Sequence, residues 1–146
     1  MFSKACEYSI KAVIFLATRP PESPRTRLQE IAEAIDSPVA FTAKLLQELV
    51  RRDVLWSIKG PNGGFELAGD GDKVTLYQVV EAIDGKKLFE GCALGLKECS
   101  ETHPCPMHDK LKSVRDYLTV VLKSTTVKEA AGRVGTGESF LVSLTG

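Results

Sequence analysis

The stretch from Thr26 to Leu67 reads TRLQEIAEAIDSPVAFTAKLLQELVRRDVLWSIKGPNGGFEL, and the order of its parts decides the fold. Thr26-Arg27-Leu28-Gln29 has the form of a capping box, with Thr26 accepting a backbone N–H bond and Gln29 reaching back. It opens a short helix that buries Leu28, Ile31, Ala32 and Ile35. Asp36-Ser37-Pro38 ends that helix and starts the next, because Ser37 can cap and Pro38 suits the first helical position. From Val39 to about Asp53 the apolar set is Val39, Leu45, Leu46, Leu49 and Val50, which leaves Ala40, Thr42, Ala43, Lys44 and Gln47 outward near the start. Two short helices joined by a tight turn are a helix-turn-helix. Val54-Leu55-Trp56-Ser57-Ile58 and Phe65-Glu66-Leu67, joined by Lys59-Gly60-Pro61-Asn62-Gly63-Gly64, then read as a hairpin. In that place a hairpin is a wing, and its glycines let the backbone approach a phosphate or a minor groove.

Upstream, residues 4–18 place Ala5, Ile10, Val13, Ile14 and Ala17 on one helical face, with Lys4, Glu7 and Lys11 on the other. Three prolines within residues 19–25 make a loop. Downstream, Thr75-Leu76-Tyr77-Gln78 is a second capping box, opening a helix that Gly85 stops. Residues 86–106 follow no period. From Met107 to Ser124, Leu111, Val114, Leu118 and Val121 form a coiled-coil-like seam of about two heptads, too short to be stable alone. Thr126-Val127-Lys128-Glu129 caps one more short helix before a Gly-rich tail carrying Phe140-Leu141-Val142. The expected fold is mainly α with a small β-hairpin: a winged helix-turn-helix plus a long dimerisation helix. The segments are 1–85 for the DNA-binding domain, 86–106 for a cysteine-bearing sensor loop, 107–125 for the dimerisation helix and 126–146 for a C-terminal helix and tail.

The 146 residues suffice for one domain with a real core, and 43% hydrophobic with 26% charged residues is ordinary globular composition. Nineteen basic residues balance nineteen acidic ones, so bulk charge offers no argument for a nucleic-acid partner. Between residues 37 and 60, Lys44, Arg51, Arg52 and Lys59 face only Glu48 and Asp53, an excess of two that a solvated helix would also show. The order of parts carries the DNA reading further than the charge does. No apolar run reaches the roughly 18 residues of a membrane span, and the N-terminus lacks the form of a signal peptide. A cytoplasmic protein is expected. There is no P-loop, no Gly-x-Ser-x-Gly and no His-Glu-x-x-His, so no enzyme is expected.

In a reducing compartment four cysteines are metal ligands, redox sensors or buried apolar residues before they are disulfide halves. Cys92-x6-Cys99-x5-Cys105-x2-His108 places three thiols and an imidazole in a polar segment rich in Gly and Pro, where irregular backbone lets them turn to one metal centre. Cys105 and His108 have the spacing of a helix's first turn, whose N-terminus would favour the Cys105 thiolate. Zinc is the rival metal, because Cys3His is a tetrahedral zinc set, but the paired Cys-x2-Cys knuckles are absent and the wide loops suit a larger cluster. Cys6, beside Ile10, Val13 and Ile14, reads as a packing residue, with a fourth or auxiliary metal ligand as the alternative. His103 precedes Pro104 and is second choice to His108.

Ser3-Lys4-Ala5-Cys6-Glu7-Tyr8-Ser9-Ile10-Lys11-Ala12, Phe41-Thr42-Ala43-Lys44-Leu45-Leu46-Gln47-Glu48-Leu49, the Lys59 to Phe65 turn and the three spaced cysteines together resemble the Rrf2 family of bacterial winged-helix regulators, of the IscR, NsrR and CymR type. The resemblance runs from Met1 to about Glu129. It implies a homodimer crossed through the helix at 107–124, reading the two half-sites of a palindromic double-stranded DNA operator. It implies that Ala40, Phe41, Thr42 and Lys44 face the major groove, while Lys59, Gly60 and Asn62 belong to the wing. Lys59 stands where many relatives carry Arg, and a lysine lacks the guanidinium fork. It also implies an iron-sulfur cluster on Cys92, Cys99 and Cys105, completed by His108 in a 2Fe-2S site, with 4Fe-4S as the alternative. Glu7 stands where some members supply a carboxylate from the partner subunit. A transcription regulator switched by redox, nitric oxide or cluster status follows. The other readings are a cluster-free regulator using thiol oxidation or a partner protein, and a small zinc-stabilised interaction module.

Overall fold

Helix α1, Lys4–Ala17, is buried nearly all round rather than on one stripe: Cys6, Ser9, Ala12, Val13, Ile14 and Leu16 are all enclosed. It is the axis of the computed structural model, which describes residues 1–143. Around it lie α2 (Leu28–Ala34), α3 (Val39–Arg51), the antiparallel pair β1 (Leu55–Ile58) and β2 (Gly64–Leu67), and α4 (Leu76–Asp84). A one-turn helix α5 (Lys87–Glu90), the long α6 (His108–Ser124) and α7 (Val127–Gly135) complete the described chain. The mainly α fold with a two-stranded wing is as the sequence predicts. Residues 144–146 of the expected tail lie outside the described residues.

Two apolar clusters hold this together. Val13 and Leu16 meet Ile31 and Ile35 of α2, Leu46 and Leu49 of α3, Leu55, Phe65, Val79 and Val127. Each such side chain contributes about 1.5–3 kcal/mol when fully buried. Toward the N-terminal end of α1, Cys6 packs with Val80, Phe89 and Leu122, so a second cluster joins α1, α4, α5 and α6. Ser3 caps α1 by accepting from the Cys6 N–H at 3.0 Å, and its own N–H donates to Asp84 Oδ2 at 3.0 Å. The start of α1 is thereby tied to the end of α4.

Two cap assignments need correction. Thr26 does not cap α2; the N-cap position is Arg27, and no side chain caps there. Thr26 is instead buried and pairs with the wing, its N–H donating to the Phe65 carbonyl at 3.0 Å and its carbonyl accepting from the Phe65 N–H at 2.8 Å. Two backbone bonds outweigh one side-chain cap. The approach is close enough that a Cβ on Gly64, at φ +148°, would lie 2.6 Å from the Thr26 carbonyl oxygen. Ser37 does not cap α3 either: the N-cap is Pro38, and the Ser37 hydroxyl accepts from Thr42 Oγ1 at 2.7 Å. Asp36 takes φ 51° to turn the chain between α2 and α3, a conformation Asp tolerates better than most residues.

The other signals hold. Thr75 and Gln78 form a reciprocal capping box, and Gly85 at φ 71° stops α4. Thr126 accepts from the Glu129 N–H at 3.1 Å and caps α7. Bonds from Leu76 N to Thr125 O (3.0 Å) and Val127 N to Val74 O (2.8 Å) bring α7 back onto the α1 body. Along α6, Leu118 and Leu122 face that body. Val114 (65% exposed), Tyr117 (71%), Val120 (61%) and Val121 (38%) form an open apolar stripe on the other side. Of the predicted seam, Val114 and Val121 lie on the stripe, while Leu118 packs inward and Leu111 is half-buried.

Candidate DNA interface and cysteine loop

Val39, Ala40, Lys44 and Gln47 are exposed on α3, and Lys59, Gly60, Pro61 and Asn62 are exposed at the wing tip. Both groups belong to the helix-turn-helix and its wing. Among the described residues, neither Lys44 nor Lys59 takes part in an ion pair, whereas Arg51 and Arg52 are both held by Glu48, at 3.1 and 3.3 Å. The local positive excess therefore rests on the two lysines. Phe41 is half-buried, its ring meeting Tyr8 edge-on with centroids 5.8 Å apart.

Thr42 departs from the expected outward set. It is 0% exposed, and its hydroxyl lies within hydrogen-bond distance of the Pro38 carbonyl one turn back (2.8 Å) and of Ser37 Oγ (2.7 Å). In the helical register Thr42 stands three and four positions before Leu45 and Leu46, so it shares their buried face. A residue so enclosed has no surface to offer a groove. Beside Phe41, the exposed Lys4, which pairs with Glu7, and the half-buried Lys11 both stand 5.2 Å from the Tyr8 ring, which itself abuts Phe41. Their spacing around Tyr8 on one helix was the available signal.

The cysteine loop brings its donors together in pairs. Cys99 Sγ lies 3.4 Å from His108 Nδ1, and Arg115 Nη2 donates to the same sulfur at 3.3 Å. Arg115 Nη1 also holds the Gly91 carbonyl, so one guanidinium spans the start and the middle of the loop. Arg115 was not foreseen, because its role depends on a loop without period. The backbone N–H groups of Leu96 and Leu94, with smaller help from the Cys105 side chain and the Gly95 N–H, outweigh desolvation and lower the Cys92 thiol pKa from its ordinary value. His108 is 8% exposed; His103 is exposed, its N–H donating to Ser100 Oγ. All four cysteines are free thiols.

Cys105 is not in the first turn of a helix. Helix α6 begins at His108 with Met107 as its N-cap, so Cys105 precedes it, its carbonyl accepting from the His108 N–H at 3.1 Å. Pro106 disfavours helical backbone at Cys105 and explains the later start. Glu7 pairs with Lys4 at 3.6 Å within the protomer. Among the described residues no three His, Cys, Asp or Glu side chains assemble a metal-holding group. The donor chemistry nonetheless suits a soft metal: thiols beside an imidazole, with N–H donors aimed at sulfur.

Cys6 is the opposite case. Burial, then the Asp84 carboxylate and its hydrogen bond, and last Glu7, push its thiol from 9.0 up to about 12. Because the folded state keeps the proton that the unfolded chain releases, stability falls as pH rises from about 9 toward 12. A Cys6→Ala variant followed by denaturant titration should lose that component of the slope. In the native protein a soluble alkylating agent should modify Cys92 first and Cys6 only on unfolding, as peptide mapping would read.

Comparison with known proteins agrees with this geometry. A family described as Rrf2, an iron-dependent transcriptional regulator, matches residues 2–133. A chain of Aquifex aeolicus assigned as an HTH-type transcriptional regulator is 34% identical over 131 residues, covering 88% of this chain and 90% of that one. The HTH-type transcriptional regulator IscR of Photorhabdus laumondii is 25% identical, covering 84% and 73%. Among solved structures, CymR, the global cysteine regulator of B. subtilis, superposes with a TM-score of 0.73 at 25% identity, covering 90% and 96%. IscR of T. potens shares the fold, with a TM-score of 0.74 at 17% identity over 95% and 91%. Helix-turn-helix, wing and long C-terminal helix thus come together in a chain that belongs to the Rrf2 family of transcriptional regulators, a family of DNA-binding proteins and not of enzymes.

Proposed function

We propose that the chain works as a homodimer on a palindromic operator, and that its affinity is switched through a 2Fe-2S cluster held by Cys92, Cys99, Cys105 and His108. The observation that carries the switch is the Cys99–His108 pair, drawn together at 3.4 Å where the loop enters α6. The iron-dependent description of the family and the IscR relatives support it. When bound, the cluster supplies a centre that responds to oxidants and nitric oxide. The residues do the rest. Arg115 and the N–H groups around Cys92 stabilise thiolate sulfur, and ordering of residues 92–105 is felt along α6. A regulator of this kind works beside the chromosome, in the cytoplasm, and no helix among the described residues is long and apolar enough to cross a membrane.

On DNA, α3 enters the major groove with Ala40 and Lys44 foremost and Phe41 at the edge, and the wing lays Lys59, Gly60 and Asn62 toward the minor groove. If the ordered loop suits one spacing of the two wings, loading the site shifts affinity by about 1–3 kcal/mol. Glu7 from the partner subunit is the candidate further ligand.

The decisive measurement is iron and sulfide content with a visible spectrum after anaerobic purification: a brown protein is expected, and a colourless one with stoichiometric zinc overturns the cluster. Lys44→Ala and Lys59→Ala should each weaken binding and flatten the log–log salt slope by about 0.9. Unchanged footprints in both would remove the assigned face. The likeness to CymR and the partly exposed free thiol of Cys92 favour a second reading, reversible cysteine oxidation without iron. A zinc-stabilised module without DNA binding does not suit a member of this family.

A further inference from the structure

Arg27 stands where helix physics does not want it. It is the N-cap of α2, yet its side chain makes no cap bond, and a cation there opposes the positive end of the helix. A residue that breaks a local rule has its reason elsewhere. Here the reason is visible: Arg27 Nη2 donates to the carbonyl of Pro61, at the tip of the wing.

We propose that Arg27 is a wing-positioning residue, its guanidinium holding the hairpin tip by the Pro61 carbonyl so that the wing meets DNA already ordered. The wing needs such a brace. Its strands have four residues each, and a two-stranded hairpin of that length is marginal by itself. The last rung is Ile58↔Gly64, which leaves residues 59–63 beyond the ladder with one turn bond, Gly63 N to Gly60 O at 2.9 Å. Gly60 at φ +103° shows how permissive that backbone is. The segment before α2 grips the hairpin at three levels: Arg25 meets Glu66 at 3.6 Å, Thr26 pairs with Phe65, and Arg27 reaches Pro61. The first two hold the base. Arg27 alone among them reaches the tip, next to Lys59, Gly60 and Asn62. A tip ordered in advance does not lose that freedom on binding, so the brace appears as affinity.

The inference rests on the proposed role of the wing on DNA, and its test separates the two. In the free full-length protein, Arg27→Ala should speed amide exchange at Gly63 by about 3- to 10-fold, the loss of one hydrogen bond, while amides of α1 and α3 and the melting temperature hold. On a duplex selected by the wild-type protein from a randomised pool, Arg27→Ala should weaken binding by a similar factor without changing the salt slope. Arg27→Lys, which keeps a donor, should recover part of it. In a Lys59→Ala background the effect should shrink, because Arg27 acts through the tip. Unaltered exchange at Gly63 overturns the brace, whatever the DNA affinity. An equal loss in both backgrounds, with the slope lowered by about one, makes Arg27 a direct phosphate contact and also overturns it. Failure of the wild-type protein to select any duplex would sink the DNA reading, while the exchange result still decides the brace.

Discussion

Thr42→Arg should leave the winged helix unfolded at room temperature, although the same change on the outer face of α3 would be harmless or would tighten DNA binding. Thr42 is 0% exposed on α3, and both of its hydroxyl partners belong to the turn that leads into that helix. An arginine there must either bury an unpaired charge or push α3 away from the core that Leu45, Leu46 and Leu49 share with α1. The cost, about 4 kcal/mol or more, is comparable with the whole stability of a small domain. Thr42→Val keeps the shape and removes the hydroxyl, and should cost about 1–2 kcal/mol. Circular dichroism melts of the two variants check this. A folded Thr42→Arg with raised non-specific DNA affinity would show the side chain facing outward after all.

If the open stripe of α6 is the seam of the proposed homodimer, Tyr117→Glu combined with Val121→Glu should leave a monomer. Both residues lie on the open stripe of α6 and belong to neither core cluster, so the variant should keep its helical signal, while its melting temperature should stop depending on protein concentration. Operator affinity should nevertheless drop by a factor on the order of 10²–10⁴, because each winged helix loses the effective concentration that its twin supplies. Light scattering during gel filtration reads the mass, and a half-site duplex should be bound about equally by both proteins. A variant that stays dimeric would place the interface on another face.

What could be read ahead of the structure followed the periodic segments. The Thr75–Gln78 box, the glycine that ends α4 and the wing turn rest on local chemistry, and local chemistry decided them. Thr26 and Ser37 carry equally good local signals, yet tertiary partners claimed both: Phe65 took the backbone of Thr26, and Thr42 took the hydroxyl of Ser37. Counting outward residues on α3 failed at Thr42 because a small polar residue fits a buried helix contact as well as a groove. Within the cysteine loop the ligand types were legible, but their pairing was not. It depends on Arg115, sixteen residues from Cys99, and on where prolines let α6 begin.

Helix α6 is fastened to the protomer along its length, by Arg115 and Gly91 at the loop end, by Leu118 and Leu122 in the middle, and by the Leu76–Thr125 bond where α7 begins. It therefore behaves as a lever arm rather than a tether. Its 17 residues span about 26 Å, so in the proposed dimer a change of about 10° in how two such arms cross would carry their far ends by about 4.5 Å. Operator half-sites lie about 34 Å apart, one turn of DNA, and a displacement of that size decides whether the second helix finds its groove. In the proposed dimer, a small angular change near Cys99 would thus be geared up into spacing at the DNA.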